Sequence, residues 1–275
     1  MKLWAISDLH IGVAKNRQAV RELPAFPEDW LVLAGDICER IEDLEWVFDQ
    51  CTKKFSKVIW VPGNHELWLV TKTEQLLDSP TKYAALVALA RKYRVVTPED
   101  PWLTFPPSGH LIVPLFLMYD YSFRPASIPR DKVIDWAMDE NCVCTDEVAI
   151  KPNPFPRVDE WSEELCKRAR MRFDKELPPD TRTILINHFP LREDLVHIPR
   201  VPRFSPWCGT KQTEDWHNRY HADVVVSGHL HVRGTQTRDQ TRFEEVSLGY
   251  ARQWDEDKGL KHYLRNLIPD SSWLG

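Results

Sequence analysis

The chain has 275 residues, 43% of them hydrophobic and 28% charged, with a formal net charge of −5. That balance fits a soluble globular protein with a core of useful size, built as one large domain or two small ones. It gives no global basic character, so long nucleic acid is not an expected partner; nor is a membrane, because the longest apolar run, Leu111 to Tyr119, is broken by Pro114 and too short to span a bilayer.

Lys2 is followed by Leu3 to Ile6 and then at once by Asp8, which does not read as a signal-peptide core. The protein is therefore expected in the cytoplasm, with Cys38, Cys51, Cys142, Cys144, Cys166 and Cys208 reduced. Leu3 to Ile6, Trp30 to Ala34 and Val58 to Val61 read as buried strands. Between the second and third of these, Ile41, Leu44, Phe48, Cys51 and Phe55 fall on one helical face. Ser79-Pro80 predicts a helix start, with Ser79 as N-cap and a body from Tyr83 to Tyr93. Leu111 to Leu117 predicts another strand, and Trp161 to Leu177 has helical spacing. Strands resume at Thr183 to Ile186 and Ala222 to Val226, then near Arg233 to Thr237 and Phe243 to Leu248.

The first half is β-α-β-like and the second richer in consecutive strands, which points to a layered α/β sandwich. No linker divides the chain convincingly, so residues 1–275 are expected to form one domain. Two stretches are irregular: the proline- and aromatic-rich segment 97–156, and segment 189–210 with its prolines and arginines. Both are longer than ordinary connections, and long ordered loops are often functional.

The chemistry gathers where strands end. Leu3 to Ile6 runs into Ser7-Asp8-Leu9-His10, and Leu31 to Ala34 into Gly35-Asp36. Val58 to Val61 runs into Gly63-Asn64-His65-Glu66, Ile184 to Ile186 into Asn187-His188, and Val224 to Val226 into Ser227-Gly228-His229-Leu230-His231. Any one of these is a common turn. Together they place His, Asp and Asn at the carboxyl ends of strands from distant parts of the chain, where open α/β sheets bind ligands.

Asp8-x-His10, Gly35-Asp36, Gly63-Asn64-His65-Glu66, Asn187-His188 and Gly228-His229-x-His231 resemble the five blocks of the calcineurin-like metallophosphoesterases. The resemblance implies a four-layer αββα sandwich of two mixed sheets with helices outside, and a dinuclear metal site. It implies that Asp8, His10 and His231 hold one ion, that Asn64, His188 and His229 hold the other, and that Asp36 bridges both. His65 would face the substrate without being a ligand.

The residue types suit that chemistry. Two divalent ions about 3.5–4 Å apart share a hydroxide that attacks phosphorus in line. Imidazole and carboxylate ligands without thiolate favour Mn, with Fe or Zn as alternatives, over Mg. His65 is typed to protonate the leaving alkoxide, and Glu66 and Glu39 to orient ligands or His65. Arg192, Arg200, Arg203 and Trp207 lie in the segment after His188 and are candidate substrate contacts, as are Asn16 and Arg17 after the first block. His110, His197, His217, His221 and His262 read as surface or packing residues.

Longer strings, DLHIGVAKNR, NHFPLREDL, PRF followed by WCGT, TEDWH and RFEEVSLGY, resemble the bacterial phosphopantetheinyl hydrolases of the same superfamily. That resemblance implies a phosphodiesterase releasing 4′-phosphopantetheine from a holo carrier protein. A phosphomonoesterase or small nucleotide phosphodiesterase is the alternative within enzymes. A non-catalytic adaptor of the same fold is the remote one, since it predicts eroded ligand positions and here all are filled. The oligomeric state is not legible.

Overall fold

The computed structural model describes residues 1–268; the last part of the expected domain, 269–275, lies outside the described residues. The elements run β1 (Leu3–Ile6), α1 (Ala14–Glu22), β2 (Phe26–Ala34), α2 (Ile41–Thr52), β3 (Phe55–Val61), α3 (Asn64–Leu67) and α4 (Ser79–Lys92). They continue with β4 (Leu103–Thr104), β5 (Leu111–Pro114), α5 (Val133–Met138), α6 (Asp146–Ala149), α7 (Val158–Glu176), β6 (Thr183–Ile186) and α8 (Trp216–Arg219). Last come β7 (Ala222–Ser227), β8 (Gly234–Arg238), β9 (Thr241–Glu245) and β10 (Arg265–Asn266). One sheet has the order β10-β1-β2-β3 and the other β4-β5-β6-β7-β9-β8. Both are mixed: β1, β2 and β3 are parallel with β10 antiparallel at the edge, and β5, β6, β7 and β9 are parallel between antiparallel β4 and β8.

The period of two along each strand decides the layers. Leu3, Ala5, Val32, Ala34, Ile59 and Val61 from one sheet meet Ile112, Ile184, Ile186, Val224 and Val226 from the other in a single cluster. The alternate residues Leu31, Leu33, Val58 and Trp60 face outward beneath Val20 of α1, Leu44 and Phe48 of α2, and Leu86 of α4. On the far side Val113, Leu185 and Val225 pack against Cys166 and Phe173 of α7 and Trp216 of α8. The result is helix, sheet, sheet, helix, the expected four-layer sandwich. Strands buried on both faces read as unbroken apolar runs for this reason. Each fully buried Val, Leu or Ile contributes about 1.5–3 kcal/mol to holding the layers together. Ser7 forms a parallel bridge with Ser247, which closes the two sheets against each other at their carboxyl ends.

Some element limits differ from expectation. Phe55 opens β3 and does not extend the helical face, because α2 stops at Thr52 and the chain turns at Lys53. The N-cap of α4 is Asp78, whose carboxylate accepts from the Thr81 N–H at 2.7 Å. Ser79 lies inside the helix and donates to the Leu67 carbonyl at 2.9 Å. A carboxylate at N-cap also benefits from the positive end of the helix, which a hydroxyl does not. Strand β5 stops at Pro114, which has no N–H to continue the ladder.

Candidate active site

The parallel strands carry their carboxyl ends to one place. Asp8 and His10 follow β1, Asp36 follows β2, Asn64 and His65 open α3 after β3, His188 follows β6, and His229 and His231 follow β7. The chain must leave each strand sharply to aim these side chains inward. Asp8, His10, Asp36, His229 and His231 accordingly adopt φ of 53°, 40°, 52°, 72° and 53°. Left-handed backbone at a residue with a Cβ costs about 1–3 kcal/mol and persists only when its surroundings hold it. Here the loops hold one another: Asp8 N–H donates to Gly35 O at 2.9 Å, His10 N–H to Asp36 O at 3.2 Å, and Gly228 N–H to His188 O at 2.8 Å. Two glycines are required by close approach. A Cβ on Gly63 would overlap Asp36 Oδ1, and one on Gly228 would overlap Ser7 Oγ and Asp8 Oδ2.

Glu66 is the keystone of the second loop. Its buried carboxylate accepts from the N–H groups of Gly63 at 2.7 Å, Asp36 at 2.9 Å, Ile37 at 2.6 Å and Cys38 at 3.2 Å. Burial, with the Asp36 carboxylate nearby, pushes its pKa up to about 7. The expected supporting role of Glu66 is thus directed at the Asp36 loop backbone. Glu39 is the residue that reaches His65, with Oε1 3.1 Å from Nδ1.

The ligating atoms of Asp8, His10 and His231 lie within 4.8 Å of one another, and so do those of Asp36, His188 and His229. His10, Asp36 and His65 make a third such group. Asp36 faces both sides: Oδ2 is 3.2 Å from His188 Nε2 and 3.7 Å from His65 Nε2, while Oδ1 accepts the His65 N–H at 3.0 Å. Asp8 Oδ1 lies 3.0 Å from His231 Nε2, and Oδ2 accepts from Ser7 Oγ at 2.6 Å and Ser247 Oγ at 2.7 Å. Several rings are oriented from behind. His188 Nδ1 contacts the Ala34 carbonyl at 2.9 Å and His231 Nδ1 contacts Gln253 Oε1 at 2.9 Å, which directs each Nε2 into the site. His10 stacks on Tyr250 at 4.6 Å, and the His65 ring lies 3.7 Å from Trp68, tilted by 31°.

The electrostatics follow from crowding buried groups. Burial alone would raise the Asp8 and Asp36 carboxyls, but His231 beside the first and His188 beside the second hold both well below the usual range. Burial likewise works against charge on His188 and His231, yet Asp36 lifts the former to about 10 and Asp8 the latter to about 9. Burial lowers His10 to about 4, and burial with neighbouring His188 lowers His229 to about 3. For His65 the pull of Asp36 and Glu39 outweighs burial, so its pKa is raised.

A divalent metal suits this donor set. His10 Nε2 faces His231 Nε2 at 3.2 Å, and Asn64 Oδ1 and His229 Nε2 are buried with no hydrogen-bond partner. Each such group costs about 1–3 kcal/mol when left unsatisfied. Lone pairs of imidazole, amide and carboxylate converging without thiolate are the ligand chemistry of Mn, Fe or Zn.

The centre forms the floor of a cavity of about 760 Å³. Both irregular segments supply walls: Val143 to Asp146 from the first, and His197 to Val201 with Phe204 from the second. Tyr250, Arg252 and Gln253 close a third side. Of the expected substrate contacts, Arg200 lines this cavity. The others do not. Asn16 is fully buried, donating to the carbonyls of Leu9 and Gly249 and accepting from Trp254 Nε1. Arg17 pairs with Asp43 at 2.6 Å over the Trp46 ring. Arg192 is bound to Asp194 and the Glu214 carbonyl, and Arg203 to Glu140 over the Trp136 ring. Trp207 is buried, with Nε1 on Glu147. Their charges and polar atoms are spent on fastening loops. His197, expected as a surface residue, is exposed on the cavity wall.

Sequence reasoning missed Asp146 and Tyr250. Asp146 is buried; Oδ1 accepts from Asn64 Nδ2 at 2.9 Å and Trp68 Nε1 at 2.6 Å, which turns Asn64 Oδ1 toward the centre. No spacing in the sequence joins Asp146 to Asn64. For Tyr250 the Gly249-Tyr250 pair just after the last long strand was a signal available in principle.

The model of the family described as calcineurin-like phosphoesterase matches residues 1–233. The chain is 42% identical over 275 residues to acyl-carrier-protein phosphodiesterase PptH of Mycobacterium tuberculosis, covering 98% of this chain and 84% of that protein. The crystal structure of phosphopantetheinyl hydrolase (PptH) from Mycobacterium tuberculosis superposes with a TM-score of 0.91 at 41% identity, covering 98% of this chain and 96% of that one.

Proposed function

The chain belongs to the calcineurin-like phosphoesterase family and is a phosphoester hydrolase, and within that class we propose that it is a phosphodiesterase that releases 4′-phosphopantetheine from a holo carrier protein. The observation that carries this reading is the 42% identity to a protein named acyl-carrier-protein phosphodiesterase, sustained over 98% of the chain. The match extends over the segments that form the cavity walls as well as the strand ends, and walls are where substrates are distinguished. We take the chain as one catalytic unit, because ligands from both sheets meet in one centre.

In this reading Asp8, His10 and His231 hold one divalent ion and Asn64, His188 and His229 the other, with Asp36 shared. Two ions bound there, most suitably Mn²⁺, would supply positive charge against the phosphoryl oxygens and lower the pKa of bound water toward neutrality. The protein does the rest. Trp68 and Glu39 hold the His65 ring in place, and the carboxylates of Asp36 and Glu39 beside it favour its protonated form. A protonated His65 would donate to the oxygen that departs from the diester. Six free, buried cysteines suit a reducing compartment such as the cytoplasm; among the described residues, no helix is long and apolar enough to cross a membrane.

The test is the intact mass of a holo carrier protein after incubation with Mn²⁺-loaded enzyme. Loss of the phosphopantetheine arm is expected, with close to two metal ions per chain by elemental analysis. Retention of the arm, alongside rapid turnover of phosphomonoesters or cyclic nucleotides, would leave the phosphoesterase and remove this substrate.

A further inference from the structure

The cavity of about 760 Å³ is of the size that takes a small flexible ligand, within the roughly 300–1,000 Å³ usual for such sites. A protein that carries the scissile phosphodiester cannot enter it and must remain on the rim. The rim has the composition of a contact surface. Val143, Val201, Val232 and Tyr250 line the opening and are 71%, 49%, 45% and 40% exposed. Scattered exposed apolar residues are ordinary, but a group around one opening marks an interaction site. Arg200 and Arg252, on separate loops of the same rim, are exposed as well. Neither makes an ion pair or side-chain hydrogen bond among the described residues, whereas Arg192 and Arg203 nearby in sequence are both paired. The carboxylates lining the cavity, Asp36 and Asp146, are buried on its floor and side. Unneutralised positive charge is therefore concentrated at the opening of a chain whose net charge is −5.

We propose that Arg200 and Arg252, with the exposed valines that line the same cavity, form a docking surface for an acidic protein partner, the carrier protein whose arm enters the cavity. This rests on the substrate reading above and adds the surface that selects the protein part of the substrate. The arginines steer and orient a carboxylate-bearing face, and the valines cover a small apolar patch beside it. Exposed charge pairs of this kind are screened over about 8 Å at physiological ionic strength, so the association is salt-sensitive.

The experiment separates the two readings. Binding of an apo carrier protein, which has no arm to cleave, is measured by calorimetry or fluorescence against wild type and the Arg200→Glu, Arg252→Glu double variant, at low and high salt. Salt-sensitive binding to wild type, weakened roughly tenfold by the double charge reversal, is expected. Val201→Asp should weaken it as well, since it adds repulsive charge where an apolar contact is expected. Binding that is absent in wild type, or indifferent to both the variants and salt, overturns the docking surface whether or not the arm is released. In turnover, the ratio of kcat/KM on holo carrier protein to kcat/KM on a small aryl phosphodiester should fall about as far as the binding. An equal loss on both substrates also overturns it, because the variant would then have damaged the centre. Arm release itself, read by intact mass with wild type, decides the substrate reading separately.

Discussion

The floor of the cavity and its walls are built by opposite means. On the floor, short turns at strand ends place the Asp, His and Asn side chains that could hold metal, and the turns are locked by backbone hydrogen bonds, left-handed residues and glycines at closest approach. On the walls, long irregular segments are fastened by side chains: Asp146 to Asn64 and Trp68, Arg203 to Glu140, Trp207 to Glu147. A centre that must hold charged groups a few ångströms apart needs the rigidity of sheet ends. A wall that must fit one substrate needs freedom to vary, which loops on a rigid scaffold supply. Substitutions on the floor should therefore abolish chemistry, and those on the walls should grade it.

Asp36→Ala should have the largest effect. It removes the carboxylate that faces both ligand groups and leaves His188 and His65 without their buried counter-charge. Metal content and turnover should be lost together, read by elemental analysis alongside a rate assay. An active, metal-loaded Asp36→Ala protein would break the distinction between floor and wall at its root.

His65→Ala should leave metal content nearly intact and slow esters with poor leaving groups by roughly 10²–10⁴-fold, the range for general acid catalysis. An activated aryl ester, whose leaving group needs no proton, should lose much less. His65 also lies within ligating distance of His10 and Asp36. If the variant empties the site, His65 is a ligand and the assignment of roles changes.

Asp146→Ala tests where wall meets floor. Without the acceptor for its amide, Asn64 is free to turn its oxygen away, and metal affinity should fall by about 10–100-fold, the usual cost of losing a group that orients a ligand. Asp146→Asn keeps an acceptor oxygen and should lose less. Metal titration by calorimetry makes the measurement, and an unchanged affinity in Asp146→Ala would show that α3 alone orients Asn64.

The smallest effects are expected at Arg192 and Arg203. Both were candidate substrate contacts, and both are committed to neighbouring carboxylates and carbonyls away from the cavity. Arg192→Ala or Arg203→Ala should change kcat/KM on a small diester by less than about twofold, the range of exposed pairs of this type. A tenfold loss in either would return that arginine to the rim.

The pattern of legibility follows the same division. Asp8, His10, Asp36, Asn64, His188, His229 and His231 could be named from the chain because each follows an apolar run directly, and a strand delivers whatever comes next to its carboxyl end. A layered α/β sandwich was legible too, from a β-α-β-like first half and a second half rich in consecutive strands, while the four layers were what the family resemblance implied. The walls were not. Arg192, Arg200 and Arg203 have the same residue type within one segment, and nothing local says that only Arg200 faces the cavity. Asp146 meets Asn64 across 82 positions, a contact created only by the return path of segment 97–156. Asn16 follows the first block as closely as His10 does, yet it points into the core and ties Leu9 to Gly249. Sequence alone determined which Asp, His and Asn residues gather at the strand ends, and that the chain is a layered sandwich, because both depend on local backbone geometry repeated along strands. Tertiary structure decided which charges are already paired, and hence which remain free to bind, because pairing depends on side chains brought together from opposite ends of the chain.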